Sequence, residues 1–134
     1  MPITRLGKLA LTQGAIGLGT FTAFCSTGAC MVIGTSTAAH SATSSYLTTP
    51  ATLGLSTMDS VAIAAVTATS TNATLTYVAT LTACQCNAAI GEIGIYNATA
   101  SGTDGILLNR YVDLVGTKTC AQTWQVTLAF TITT

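Results

Sequence analysis

The C-terminal stretch T-W-Q-V-T-L-A-F-T-I-T (123–133) alternates apolar and polar positions, so that Trp124, Val126, Leu128, Phe130 and Ile132 share one face. A period of two is the mark of a strand with one side on a core. Upstream, V-A-I-A-A-V-T-A (61–68) and N-A-T-L-T-Y-V-A-T-L-T-A-C (72–84) predict a hairpin closed by T-S-T-N. Residues 91–97 and 106–115 predict another, with A-T-A-S-G-T-D-G as its loop. Two further short strands, Phe21 to Cys25 and Cys30 to Gly34, flank the turn S-T-G-A. Residues 35–60, rich in Ser and Thr, are expected to form a long excursion that serves a purpose or lies against a neighbour. The one helix signal covers residues 4–13, with Thr4 as N-cap and Leu6, Leu9 and Ala10 on one side.

Six or seven short strands define a mainly β chain, expected to be a single-domain antiparallel β-sandwich or small barrel with a short N-terminal helix. Within residues 1–134, this assigns 1–20 to an N-terminal arm, 35–60 to a loop excursion and 61–134 to the sheet core. Threonine makes up roughly a fifth of the chain, and its β-branched side chain suits the outer face of a sheet.

Charge changes the picture next. The 134 residues are 49% hydrophobic but only 6% charged, with a formal net charge of +0. A typical domain is about 25% charged, and so little charge leaves a free monomer poorly protected against association. The expectation is a surface of Thr, Ser, Ala and Gly covered in part by other subunits. Arg5, Lys8, Arg110 and Lys118 are scattered along the sequence, which argues against nucleic acid as a partner. No uninterrupted apolar run reaches the length of a membrane-spanning helix. The N-terminus has basic residues followed by an apolar run, like an export signal. Gln13, Gly14 and Gly17 interrupt that run, so synthesis in a cytoplasm with the terminus retained is expected. Both chain ends are expected to pack within an assembly.

Among candidate chemistry, Glu92 stands out as a carboxylate in the apolar strand G-E-I-G-I-Y. Ile93 and Ile95 point to one face of that strand, Glu92 and Tyr96 to the other. Pairing Ile95 with Leu107 sets Glu92 opposite Arg110, and a cross-strand ion pair contributes about 0.2–1 kcal/mol and helps fix register. The rival reading is a catalytic carboxylate, which needs a second titratable group in reach. Asp104 falls in the loop and Asp113 on the opposite face, so the ion pair is preferred and no catalytic residue is assigned.

Five cysteines remain: Cys25, Cys30, Cys84, Cys86 and Cys120. Their spacing is not that of a zinc site, and the single histidine, His40, lies in the loose segment; no metal or cofactor is assigned. Cys84 and Cys86 are expected on one strand face, about 6.6 Å apart, each looking outward to a different partner. Cys25 and Cys30 could close a hairpin disulfide. The alternative is that the cysteines are small buried hydrophobes. An odd number leaves one thiol unpaired or bonded to another chain, so cross-links between subunits after assembly are a further expectation. The sequons at Asn72 and Asn97 carry no weight without export. Nucleophile-elbow, phosphate-loop and zinc-protease motifs are lacking, and neither an enzyme nor a small-molecule substrate is expected.

G-E-I-G-I-Y-N-A, then a Gly-containing turn, G-I-L-L-N-R-Y-V and the closing T-W-Q-V-T-L-A-F-T-I-T together resemble small virion structural proteins of tailed double-stranded DNA bacteriophages. In these, E-I-G-L-F/Y-N-A precedes a turn and a T-L-L-x-R strand, and a Thr-rich strand ends the chain. The likeness covers somewhat more than half the sequence, and related patterns occur in collar-type tail-fibre proteins. It implies a non-enzymatic β-rich module of a shell or tail, with Glu92 and Arg110 on the pattern's acidic and basic positions. The first half departs from the pattern, as do the cysteines. The expected role is a capsid decoration or linking protein, a homotrimer binding the major capsid protein on the outer surface of the virion. A tail, neck or fibre component is the alternative within the same class. A monomeric zinc- or disulfide-stabilised binding module is the alternative outside it.

Overall fold

A computed structural model of the chain describes residues 3–18, 24, 29–63, 72–97 and 105–133. One helix, α1 (Arg5–Ala15), precedes six strands: β1 (Cys30–Gly34), β2 (Pro50–Ile63), β3 (Asn72–Leu81), β4 (Ala89–Tyr96), β5 (Leu107–Thr117) and β6 (Trp124–Thr133). All pairings are antiparallel, and the strands run β5-β4-β1-β2-β3-β6 from edge to edge.

The long strand β2 turns this ladder into two layers. Residues 50–57 pair with β1, whereas residues 58–63 pair with β3. Side chains from the two halves then meet in one core: Met31, Ile33, Ile93, Ile95 and Leu108 from one, Tyr77, Ala79, Leu81 and Leu128 from the other. The result is an antiparallel β-sandwich. No pairing joins β5 to β6 among the described residues, so no barrel closes.

Sequence periodicity and structure agree where alternation is strongest. β6 buries Leu128 and half-buries Trp124 and Val126, leaving Gln125 and Thr127 exposed. The hairpin β4–β5 forms where expected. Its register is shifted by two: Ile95 lies opposite Asn109, not Leu107, and Glu92 opposite Val112. One residue of that slip arises at an irregularity between Ile95 and Tyr96, where Tyr96 still faces Leu107, and a further irregularity follows at Ile90/Glu92. The irregularity at Ile90/Glu92 also changes the phase of alternation, which lets Ile90 join Ile93 and Ile95 in the core.

Three expectations need correction. The excursion ends at Thr49, because residues 50–60, expected as loop, lie in β2. Neighbours on both sides supply ladder hydrogen bonds that outweigh weak local propensity. β3 stops at Leu81 and not at Cys84. The helix forms with Thr4 as its cap, the side chain accepting from the Gly7 amide at 2.9 Å, but it buries Gly7 and Ala10 and exposes Leu6 and Leu9. Close approach is the reason: a Cβ at position 7 would lie 2.5 Å from the Leu108 carbonyl oxygen. Only the smallest residues fit on the side that faces β5. The strand expected at Phe21 to Cys25, and the Cys25–Cys30 hairpin, lie outside the described residues except at Phe24 and Cys30. No described helix is long and apolar enough to cross a membrane.

Candidate functional site: a buried ion pair clamping a loop

The outer face of the β5-β4-β1 half carries a second, smaller apolar cluster of Cys30, Val32, Leu47, Tyr96 and Leu107. Glu92 and Tyr96 share this face, as alternation requires. Over it runs the segment 35–49, the portion of the excursion that remains loop.

Glu92 and Arg110 meet here at 2.7 Å, Arg110 Nε donating to Glu92 Oε2, and both side chains are buried to within 1%. Arg110 sits opposite Gly94 in the ladder, so the pair spans a diagonal of the hairpin rather than a direct opposition. The pair forms despite the shifted register because a long guanidinium reaches diagonal neighbours.

Neither charge ends at its partner. Arg110 donates through its two terminal nitrogens to the carbonyls of Ala38 at 3.0 Å and Ala39 at 3.2 Å. The Glu92 carboxylate accepts from the Thr48 amide at 3.0 Å and the Thr49 amide at 2.6 Å. Nearby, the Leu47 amide donates to the Tyr96 hydroxyl at 2.8 Å. Burial pushes the Tyr96 hydroxyl up to about 12 against the pull of that amide, and the Glu92 charge adds to the rise. Both arms of the loop are therefore fastened to two adjacent strands through one buried pair.

Gly34 makes room for this arrangement. It lies opposite Glu92 on β1, and a Cβ there would sit 2.5 Å from Glu92 Oε1 and 2.6 Å from the Thr49 carbonyl oxygen. Charge-assisted bonds of this kind are roughly twice as strong as neutral ones, and full satisfaction is what makes a buried charge tolerable. With three donors on its two oxygens, the carboxylate works as a clamp on the loop.

His40 lies in the same loop, and neither ring nitrogen has a hydrogen-bond partner among the described residues. Burial and the Arg110 charge both hold it below the ordinary histidine value.

The cysteines are arranged differently from expectation. Cys84 and Cys86 lie in the turn that follows β3, both with left-handed backbone (φ 61° and 54°), and not side by side on a strand. Cys84 forms a disulfide with Cys120 of the same chain, and Cys86 points into the core. Neither is an outward-facing thiol; the tight turn sends the two side chains apart. Cys30 is buried in β1. Cys25 lies outside the described residues.

The disulfide joins the β3–β4 and β5–β6 connections at one end of the sandwich. The Cys84 amide also donates to the Cys120 carbonyl at 3.1 Å. Beside it, the buried Lys118 ammonium donates to the Thr82 carbonyl at 2.8 Å. Burial raises the Cys86 thiol, partly offset by the charge of Lys118.

Several of these participants escape sequence reasoning. Ala38, Ala39, Thr48 and Thr49 act through backbone atoms, which side-chain type does not reveal. Lys118 looks like a surface charge. Asn97, one of the sequon residues, is buried and closes the β4–β5 hairpin by accepting from the Ile106 amide at 2.5 Å. Its place at the end of a strand before a turn was the available signal.

The fold and site thus define an antiparallel β-sandwich whose scarce charges brace its own loops. Searches against protein-family models, curated proteins and solved structures return no match.

Proposed function

We propose that this chain is a non-enzymatic structural protein of a tailed-bacteriophage virion, most concretely a decoration or linking protein that binds the major capsid protein and stabilises the shell. The observation that carries this reading is where the charges go. Of four basic and four acidic residues, Glu92, Arg110 and Lys118 are buried, while Leu9, Ile16, Leu18 and Leu114 are each more than half exposed. A small protein that buries three of its few charges and presents leucine outside is suited to being covered. The phage-like G-E-I-G-I-Y-N-A and L-L-N-R elements supply the identity of the assembly, and both elements of the resemblance converge on the Glu92–Arg110 pair.

The proposed role does not use interchain disulfides at Cys84 or Cys120, which bond to each other. The test is quantitative mass spectrometry of purified virions containing the chain. Copies in the hundreds support a shell position. A dozen or fewer move the chain to the neck, tail or fibre, and its absence from particles rejects the reading.

A further inference from the structure

Two surfaces that the described residues leave uncovered complement one another. On α1, the side facing β5 carries Gly7 and Ala10, so the leucines point outward: Leu6 is 40% and Leu9 52% exposed. Arg5 and Lys8 flank them, both exposed. The second surface is a groove of about 690 Å³ between β5 and β6, which no strand pairing joins among the described residues. Its walls are Tyr111, Trp124, Val126 and the core residue Leu128, and at its rim stands Asp113. The Tyr111 hydroxyl donates to Asp113 at 3.1 Å, fixing that carboxylate beside the apolar wall. Among the residues whose side chains are described, Asp113 is the exposed carboxylate, while Arg5 and Lys8 are the exposed cations.

We infer that α1 of one copy docks in the β5–β6 groove of a second copy, with Leu6 and Leu9 against Trp124 and Val126 and with Arg5 or Lys8 paired to Asp113. The occupant is chosen by charge and shape together: a leucine pair bracketed by cations meets an aromatic and aliphatic groove bearing an anion. Helix and groove are different patches, so the contact is heterologous. It closes into a ring or continues as a filament, and the homotrimer expected from sequence is one such ring.

This deepens the assembly reading, yet it is tested on the purified chain alone. Analytical ultracentrifugation up to about 100 μM is expected to show an oligomer. Leu9→Glu is expected to weaken association at least about tenfold, as is Asp113→Lys. Combining Asp113→Lys with Arg5→Glu and Lys8→Glu is expected to restore it, because the charges are exchanged across the contact. Circular dichroism spectra and melting curves that match the wild type at a concentration low enough to dissociate it show that each variant folds, as expected for exposed positions. A monomeric wild-type chain overturns the inference. So does an oligomer indifferent to Leu9→Glu, which would place the contact elsewhere. A monomeric chain abundant in virions fails this contact alone, and a self-associating chain absent from virions fails the capsid role alone.

Discussion

Arg110 shows how far one residue can be read from sequence. Its pairing with Glu92 follows from two oppositely charged residues placed in neighbouring strands of one hairpin, and the pair forms. What could not be read is its depth and its extent. Burial comes from the loop that crosses it, and the loop's contribution is backbone carbonyls and amides. The energetic meaning changes with that burial. A surface pair is worth about 0.2–1 kcal/mol, but removing one member of a buried pair costs about 3–5 kcal/mol because the other is left charged and unpaired. Arg110→Met is therefore expected to lower the unfolding free energy in urea by about that amount. Adding Glu92→Gln to it is expected to recover part of the loss, since no net charge then remains in the site. A single substitution costing under about 1 kcal/mol contradicts the clamp.

Among the elements, the loop 35–49 and the strand β2 mark the limits of periodicity. Residues 50–60 mix Gly54, Ser56 and Asp59 among apolar positions, and become strand only because β1 and β3 wait on either side. The cleanly alternating β6 needed no such context. For the loop, composition gave its start but neither its end nor its seat. His40 provides a handle on that seat. Its folded value lies below the ordinary one through burial and the Arg110 charge, so the fold favours the neutral ring. Stability is then fully present above pH 6.5 and is lost as pH falls below that value toward the lower folded one. Equilibrium denaturation at pH 7.5 and pH 5 is expected to show a drop that His40→Gln reduces, and equal drops in both proteins would refute the assignment. The Cys84–Cys120 disulfide ties two connections separated by 36 residues. Chain entropy gives such a bridge about 3–4 kcal/mol. Reduced protein, or Cys84→Ser with Cys120→Ser, is expected to lose about this much, with native protein running as a monomer on gels with or without reductant. A ladder of multimers confined to the non-reducing lane would mean that some cysteine bonds between chains.

Taken as a whole molecule, the chain buries three of the six charged side chains that the structure describes, and this bears on how it meets a partner. Buried ions hold loops on the sheet, the α1 leucines and Leu114 face outward, and the exposed ions that the structure describes are Arg5, Lys8 and Asp113. Composition made the scarcity of charge visible from the outset; it could not show which ions the fold would consume. Binding to a capsid through such a surface draws on apolar burial, at roughly 25 cal/mol per Å², with one or two ion pairs adding register. Salt separates the two contributions. Raising ionic strength from about 0.1 to 1 M shortens the screening length from about 10 to 3 Å, which weakens exposed ion pairs, while burial of apolar surface is not lost. Retention of the chain on particles, measured by sedimentation across this range, is therefore expected to change by no more than about threefold. Release by tenfold or more would show that charge carries the attachment.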